Sequence, residues 1–187
     1  MKKLFTLLLA VGVVCGTFAA DAISRGTTKD AVCYFKGGKF YADAACKQLL
    51  YSHPGNMVGK EAKVTAQNAI YRLMTGRIYK GYSLKKEDCL ATIFETKTQK
   101  GNTVEAKIYE GFVVPRDIKE TTEKGGIAIK SCNISDGVNV IPGKVLFTVK
   151  DGKLFRGDST DDKDCVLNGV GNLNSSRLLF VAFELVK

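Results

Sequence analysis

The single histidine, His53, stands a short way after Cys46 and directly ahead of Pro54-Gly55. A thiol and an imidazole can form a nucleophile pair. No local signature of a thiol hydrolase surrounds these two, and His-Pro-Gly reads as a turn. The sequence contains no G-x-S-x-G, no H-E-x-x-H and no phosphate-binding loop. Two carboxylates brought together in space are enough for a glycosidase, so a carboxylate-based hydrolase stays open as a second class of function. The lack of any Trp weighs against sugar platforms of that kind. The run from Asp158 to Asp164 gathers Asp158, Asp161, Asp162 and Asp164, oxygen ligands that calcium favours. The matching segment earlier in the chain has Lys85 and Lys86 where this one has Asp161 and Asp162. A repeated cation site does not invert its charge, so a solvated loop is expected, with no metal and no cofactor.

Positive charge is the more persistent chemistry. The formal net charge is +9. Lys36 and Lys39, Arg77 and Lys80, and Lys150, Lys153 and Arg156 all flank glycine-containing turns. Gathered on one rim, they would form a site for an anionic glycan, lipopolysaccharide or a phospholipid surface, with Tyr41, Tyr79 and Phe155 near enough to stack. Nucleic acid is the less favoured polyanion. The plainer reading is that lysines beside strand ends keep hairpin tips solvated.

The elements that must position these residues come from repetition. Thr75–Leu90 recurs as Asp151–Val166, with Gly76, Gly81, Ser83, Asp88 and Cys89 returning as Gly152, Gly157, Ser159, Asp164 and Cys165. Half that spacing, about 38 residues, leads back to a further copy at Tyr34–Tyr41, and repeats of this length signal one supersecondary unit used several times. Each copy reads as a β-hairpin, with tips at Gly37-Gly38, Thr75-Gly76 and Asp151-Gly152. Counting outward from each tip pairs Lys36 with Lys39, Met74 with Arg77, and Lys150 with Lys153. The next pairs, Phe35 with Phe40, Leu73 with Ile78 and Val149 with Leu154, are apolar in all three, which assigns them to the core face. A fourth, degenerate copy is expected near Ile108-Tyr109.

Around the hairpins, Ala42–Leu50 suits a short helix, and residues 60–68 suit a helical turn. Two longer strands are expected around Lys100-Gly101-Asn102. Residues 115–126 read as a polar loop and 127–133 as a strand. Cys165–Val170 and the apolar run Arg177–Val186 read as strands. The expectation is an all-β domain of repeated hairpins, closed or nearly closed into a barrel, a flower-like ring or a small propeller. A three-repeat, trefoil-like ring with residues 115–144 inserted is the alternative.

Residues 1–22 read as a secretory signal peptide: Lys2-Lys3, an apolar run from Leu4 to Val14, and an Ala20-Asp21-Ala22 cleavage motif. Cutting after Ala19 or Ala20 fits as well. Cys15 lacks the residues expected ahead of a lipidated cysteine. Residues 23–187 then form a single β-repeat domain in the bacterial periplasm or outside the cell, with no later transmembrane segment. In that compartment Cys33, Cys46, Cys89, Cys132 and Cys165 are disulfide candidates, an odd set that leaves at least one thiol over. The function expected is a non-enzymatic binding or structural protein of the envelope or exterior. A secreted hydrolase and an exported protease inhibitor are the alternatives.

Overall fold

Four two-residue turns organise the structure: Gly37-Gly38, Thr75-Gly76, Lys100-Gly101 and Asp151-Gly152. Both residues of each have positive φ, between +50° and +78°, which is the backbone that joins two twisted strands most tightly. The computed structural model describes residues 19–114, 120–121, 127–128, 133–135, 140–142 and 144–186. Along them run β1 (Asp21–Arg25), β2 (Ala31–Lys36), β3 (Lys39–Tyr41), β4 (Leu49–Ser52), β5 (Met57–Val58), β6 (Tyr71–Met74), β7 (Arg77–Lys80), β8 (Cys89–Gln99) and β9 (Asn102–Glu110). Next come the short β10 (Val113–Val114), β11 (Glu120–Thr121), β12 (Ile127–Ala128), β13 (Asn133–Ser135) and β14 (Val140–Pro142). The chain ends with β15 (Val145–Lys150), β16 (Lys153–Arg156), β17 (Cys165–Asn168) and the helix α1 (Ser175–Glu184).

Twelve of these strands form one antiparallel sheet in the order β4-β3-β2-β1-β17-β16-β15-β9-β8-β7-β6-β5. The two ends of that order meet. Ser52, at the end of β4, and Gly59, just beyond β5, exchange backbone bonds of 2.8 and 3.1 Å. One bridge thus nearly closes the sheet into a barrel. The ring divides into three four-stranded meanders: β1 to β4, β5 to β8, and β9 with β15 to β17. In the third, the segment holding β10 to β14 is inserted between the first and second strands. Within each meander the hairpin has the register read from sequence. The following strand is bulged one residue past the inward apolar position, between Phe40 and Tyr41, Ile78 and Tyr79, and Leu154 and Phe155.

The likeness of the second and third units extends to single hydrogen bonds. Ser83 Oγ donates to Asp88 at 2.6 Å and Ser159 Oγ to Asp164 at 2.7 Å. Each serine also accepts a backbone N–H two residues on, at 3.1 Å. A single 3-10 turn then leads into Cys89 and Cys165. The 38-residue register does not continue through the chain, however. Ile108 lies inside β9, and the fourth tight turn falls at Lys100-Gly101.

Two expectations are corrected. Residues 42–50 are not helical: the Asp43 carboxylate accepts the N–H groups of Lys47 and Gln48 (3.2 and 2.6 Å) and Cys46 turns to φ +55°. Together these bend the chain into β4. The run 177–186 is helix rather than strand. Asn174 caps it by accepting Arg177 N–H at 3.1 Å. Leu178, Leu179, Phe180, Val181 and Ala182 are consecutive and all buried, so the helix is covered on every side. It fills the barrel interior, where Phe180 lies 4.9 Å from the ring of Phe40 and 5.1 Å from that of Tyr51. The six apolar residues of the hairpin pairs, Phe35, Phe40, Leu73, Ile78, Val149 and Leu154, share that core. No helix among the described residues is long and apolar enough to cross a membrane.

Candidate binding surface

Every neighbouring pair in the ring is antiparallel, so strand direction alternates around it. Strands β2, β4, β6, β8, β15 and β17 therefore finish at the same end. All four two-residue turns, the connection 53–56 and the entry into α1 lie there; we call it the turn end. The opposite end carries the longer connections.

At the turn end the alternation that sends Phe35, Leu73 and Val149 inward sends the adjacent pairs outward. Lys36 and Lys150 are exposed and Lys39 is half-buried. None of these three is in an ion pair with another described residue. Lys153 is tied at 2.8 Å to Asp162, from the loop 157–164 that folds back along the outside, and this carboxylate holds its pKa above the usual lysine value. Arg77 donates to the carbonyl of Val113 at 3.1 Å and stacks over Phe112 at 4.2 Å. It serves the packing of the segment after β9. Lys80 and Arg156 stand three residues beyond Arg77 and Lys153, about 10 Å along their strands, towards the opposite end. The seven basic residues are thus not one cluster: five flank the turn end, of which two are engaged, and two belong elsewhere.

The aromatic residues proposed to stack are mostly covered. Tyr79 and Phe155 are 5% and 4% exposed. Phe155 nevertheless lines a hollow of about 230 Å³ with Lys150, Asp151, Lys153, Thr160 and Asp162. Lys150 also borders a second hollow, of about 130 Å³, with Thr96, Glu105 and Lys107. Of the acidic loop, Asp158 pairs with Lys107 at 2.7 Å, Asp162 with Lys153, Asp161 with Lys163 at 3.7 Å, and Asp164 accepts from Ser159. Among the described residues no group of three His, Cys, Asp or Glu side chains could hold a metal ion.

Cys33, Cys46, Cys89 and Cys165 are free thiols, so no disulfide joins the described residues; of the disulfide candidates, Cys132 lies outside them, as does Cys15. Cys89 and Cys165 occupy matching places in two different meanders, each Sγ directed at the carbonyl two residues on, at 3.5 Å. Cys33 is fully buried, and that burial pushes its pKa to about 12. Cys46 and His53 are not brought together. Cys46 lies in the 42–48 connection at the far end, whereas His53 follows β4 at the turn end and bonds through its N–H to Gly38 O at 2.8 Å.

His53 also belongs to a feature that sequence reading missed. His53 Nε2 and Ser52 Oγ, in side chains 7% and 2% exposed, have no hydrogen-bond partner among the described residues. Burial holds the His53 pKa below its ordinary value, and the Arg177 charge pushes the same way. The Arg177 guanidinium lies 4.8 Å over the ring of Phe35. Asn174-Ser175-Ser176 was a helix-start signal that could have placed Arg177 at this mouth. At the other end Arg25 and Arg156 flank a cavity of about 250 Å³ that includes Leu185 and Val186.

The chain matches no protein-family model, and no curated protein or solved structure is significantly similar to it.

Proposed function

We propose that this is an exported, non-catalytic binding protein that holds an anionic glycan, lipopolysaccharide or phospholipid surface against the turn end of its barrel. The observation that supports this reading is that Lys36, Lys39 and Lys150 all lie at that end, outward-facing and without ion-pair partners among the described residues. An interior filled by α1 is consistent with recognition at a rim rather than in a central cavity. Such binding weakens as salt rises, because screening acts on exposed charges over about 10 Å at 0.1 M.

The test is retention on immobilised heparin and co-sedimentation with vesicles containing anionic phospholipid, each over a salt series. The two arms separate a glycan from a lipid source of negative charge. The triple variant Lys36→Gln, Lys39→Gln, Lys150→Gln should lose about 3 kcal/mol on a membrane surface, roughly a hundredfold in affinity at low salt. The control Lys80→Gln with Arg156→Gln removes charge from the far end and should bind as the unaltered protein does. Equal losses in the two variants would reduce the effect to net charge and remove the turn end from consideration.

A further inference from the structure

The first strand determines which processed chain keeps the barrel whole. The apolar N-terminal run offers three bonds, after Ala19, Ala20 or Ala22. β1 starts at Asp21, and both residues ahead of a cut after Ala22 are built into the barrel. Asp21 pairs with Phe35 and Ala22 with Tyr34, beside the first lysine turn. Asp21 Oδ1 also accepts from Asn172 Nδ2 at 3.1 Å, in the segment leading into α1. The carbonyl of Ala22 lies against Gly169, closer than a side chain there would allow. Ile23, the residue that a cut after Ala22 would make the N-terminus, is 0% exposed.

A cut after Ala22 therefore has two costs. It leaves the last residues of β2 without a neighbour on one side, where β1 joins the first meander to the third. It also makes Ile23, a core residue paired with Cys33, the free end of the chain, where strand ends fray. Ala19 is exposed and Ala20 half-buried, and both precede the strand. Thr17 and Ala19 supply the small residues expected at positions −3 and −1 of a cut after Ala19, whereas a cut after Ala20 puts Phe18 at −3.

We infer that the chain is processed ahead of Asp21, at the Ala19–Ala20 bond, so that β1 enters the barrel whole. This rests on the export reading above. The new α-ammonium then stands at the turn end, on the same side as Lys36 and Lys39, and adds to the positive charge there.

The full chain is expressed in a secreting host, recovered from the periplasm or medium, and its intact mass and N-terminal sequence are read. A folded product beginning at Ala20 is expected. A folded product beginning at any later residue overturns the proposal. A full-length chain retained in the cytoplasm overturns the export reading and the proposal with it, a result distinct from processing at the wrong bond. Two variants sharpen the test: Ala19→Gln should accumulate as precursor, and Ala22→Gln, an exposed position, should be processed as before. Accumulation of the Ala22→Gln precursor instead would overturn the assignment.

Discussion

Tyr51 and Tyr71 stand on opposite sides of the barrel seam and donate to the two oxygens of one carboxylate, Glu184, at 2.9 Å each. Tyr51 belongs to β4 and Tyr71 to β6, while the seam between β4 and β5 is a single backbone bridge at Ser52 and Gly59. The last residue of the interior helix thus clasps the place where the sheet is least paired. Hydrogen bonds to a charged acceptor are stronger than neutral ones, and this pair ties the helix to strands on both sides of the seam at once.

The clasp predicts an alkaline limb of stability. Burial, then the bond to Glu184 and its charge, push both phenols up to about 12 from an ordinary value of 10. A group whose folded pKa is raised contributes fully below its unfolded value. The contribution is then lost as pH rises through the folded one. Stability should fall between about pH 10 and 12, read as the urea midpoint against pH. Tyr51→Phe with Tyr71→Phe should lower the unfolding free energy at pH 7 by about 1–2 kcal/mol per bond, seen as a lower urea midpoint, and flatten the alkaline limb. A limb of unchanged slope in the double variant would remove the clasp from the account.

Phe180→Ala should be among the most damaging single changes. Phe180 is fully buried and lies within 6.4 Å of the rings of Phe40, Tyr51 and Tyr71. Truncating a buried Phe costs about 3–5 kcal/mol. Here the cavity would open at the barrel centre, where strands on both sides of the seam meet. Thermal unfolding should show a large drop in midpoint. A shift of only a degree or two would mean that the helix is not an integral part of the core.

How much of this was legible follows from which signals were local. The hairpins were legible because a two-residue turn fixes register: once Gly38, Gly76 and Gly152 are placed, Phe35–Phe40, Leu73–Ile78 and Val149–Leu154 follow by counting. The three-unit ring was legible only as an alternative, since the bridge from Ser52 to Gly59 leaves no trace in composition. The helix at 175–184 was missed because a helix buried on every side has no polar face and hence no 3.6-residue alternation to detect. At the candidate surface, charge was legible but its employment was not. Lys153 and Arg77 look like Lys36 in sequence, yet Asp162 and the Val113 carbonyl occupy them through contacts set by loop folding.

Gly169 and Gly157 separate backbone strain from steric exclusion. Both have positive φ, +79° and +66°. A Cβ at Gly157 meets nothing within 4 Å, whereas one at Gly169 would overlap the Ala22 carbonyl. Gly157→Ala should cost about 1 kcal/mol, the penalty of a side chain in the left-handed region. Gly169→Ala should cost about 3 kcal/mol or more, because β1 must move away from β17, to which only Ser24 and Arg25 are paired. Chemical denaturation of both variants checks the difference. Equal costs would show that the contact between β1 and the chain after β17 is looser than described.

The thiols should react in an order set by burial. Cys46 is half-buried in a connection and its Sγ lies 3.9 Å from the Ala44 carbonyl. Cys33 is fully buried with a pKa near 12, so almost none of it is thiolate at neutral pH. Burial also raises Cys89 and Cys165, whose nearby Arg77 and Lys153 charges oppose the shift. The thiolate is the reactive form. Alkylation of the native protein at pH 8, followed by peptide mass analysis, should therefore label Cys46 first. Cys33 should be labelled only as the barrel unfolds, and its rate should rise with urea through the unfolding midpoint. Peptides joining Cys33 to Cys46 or Cys89 to Cys165 in the non-reduced digest would contradict the free-thiol arrangement. So would labelling of Cys33 as fast as Cys46 in the absence of urea.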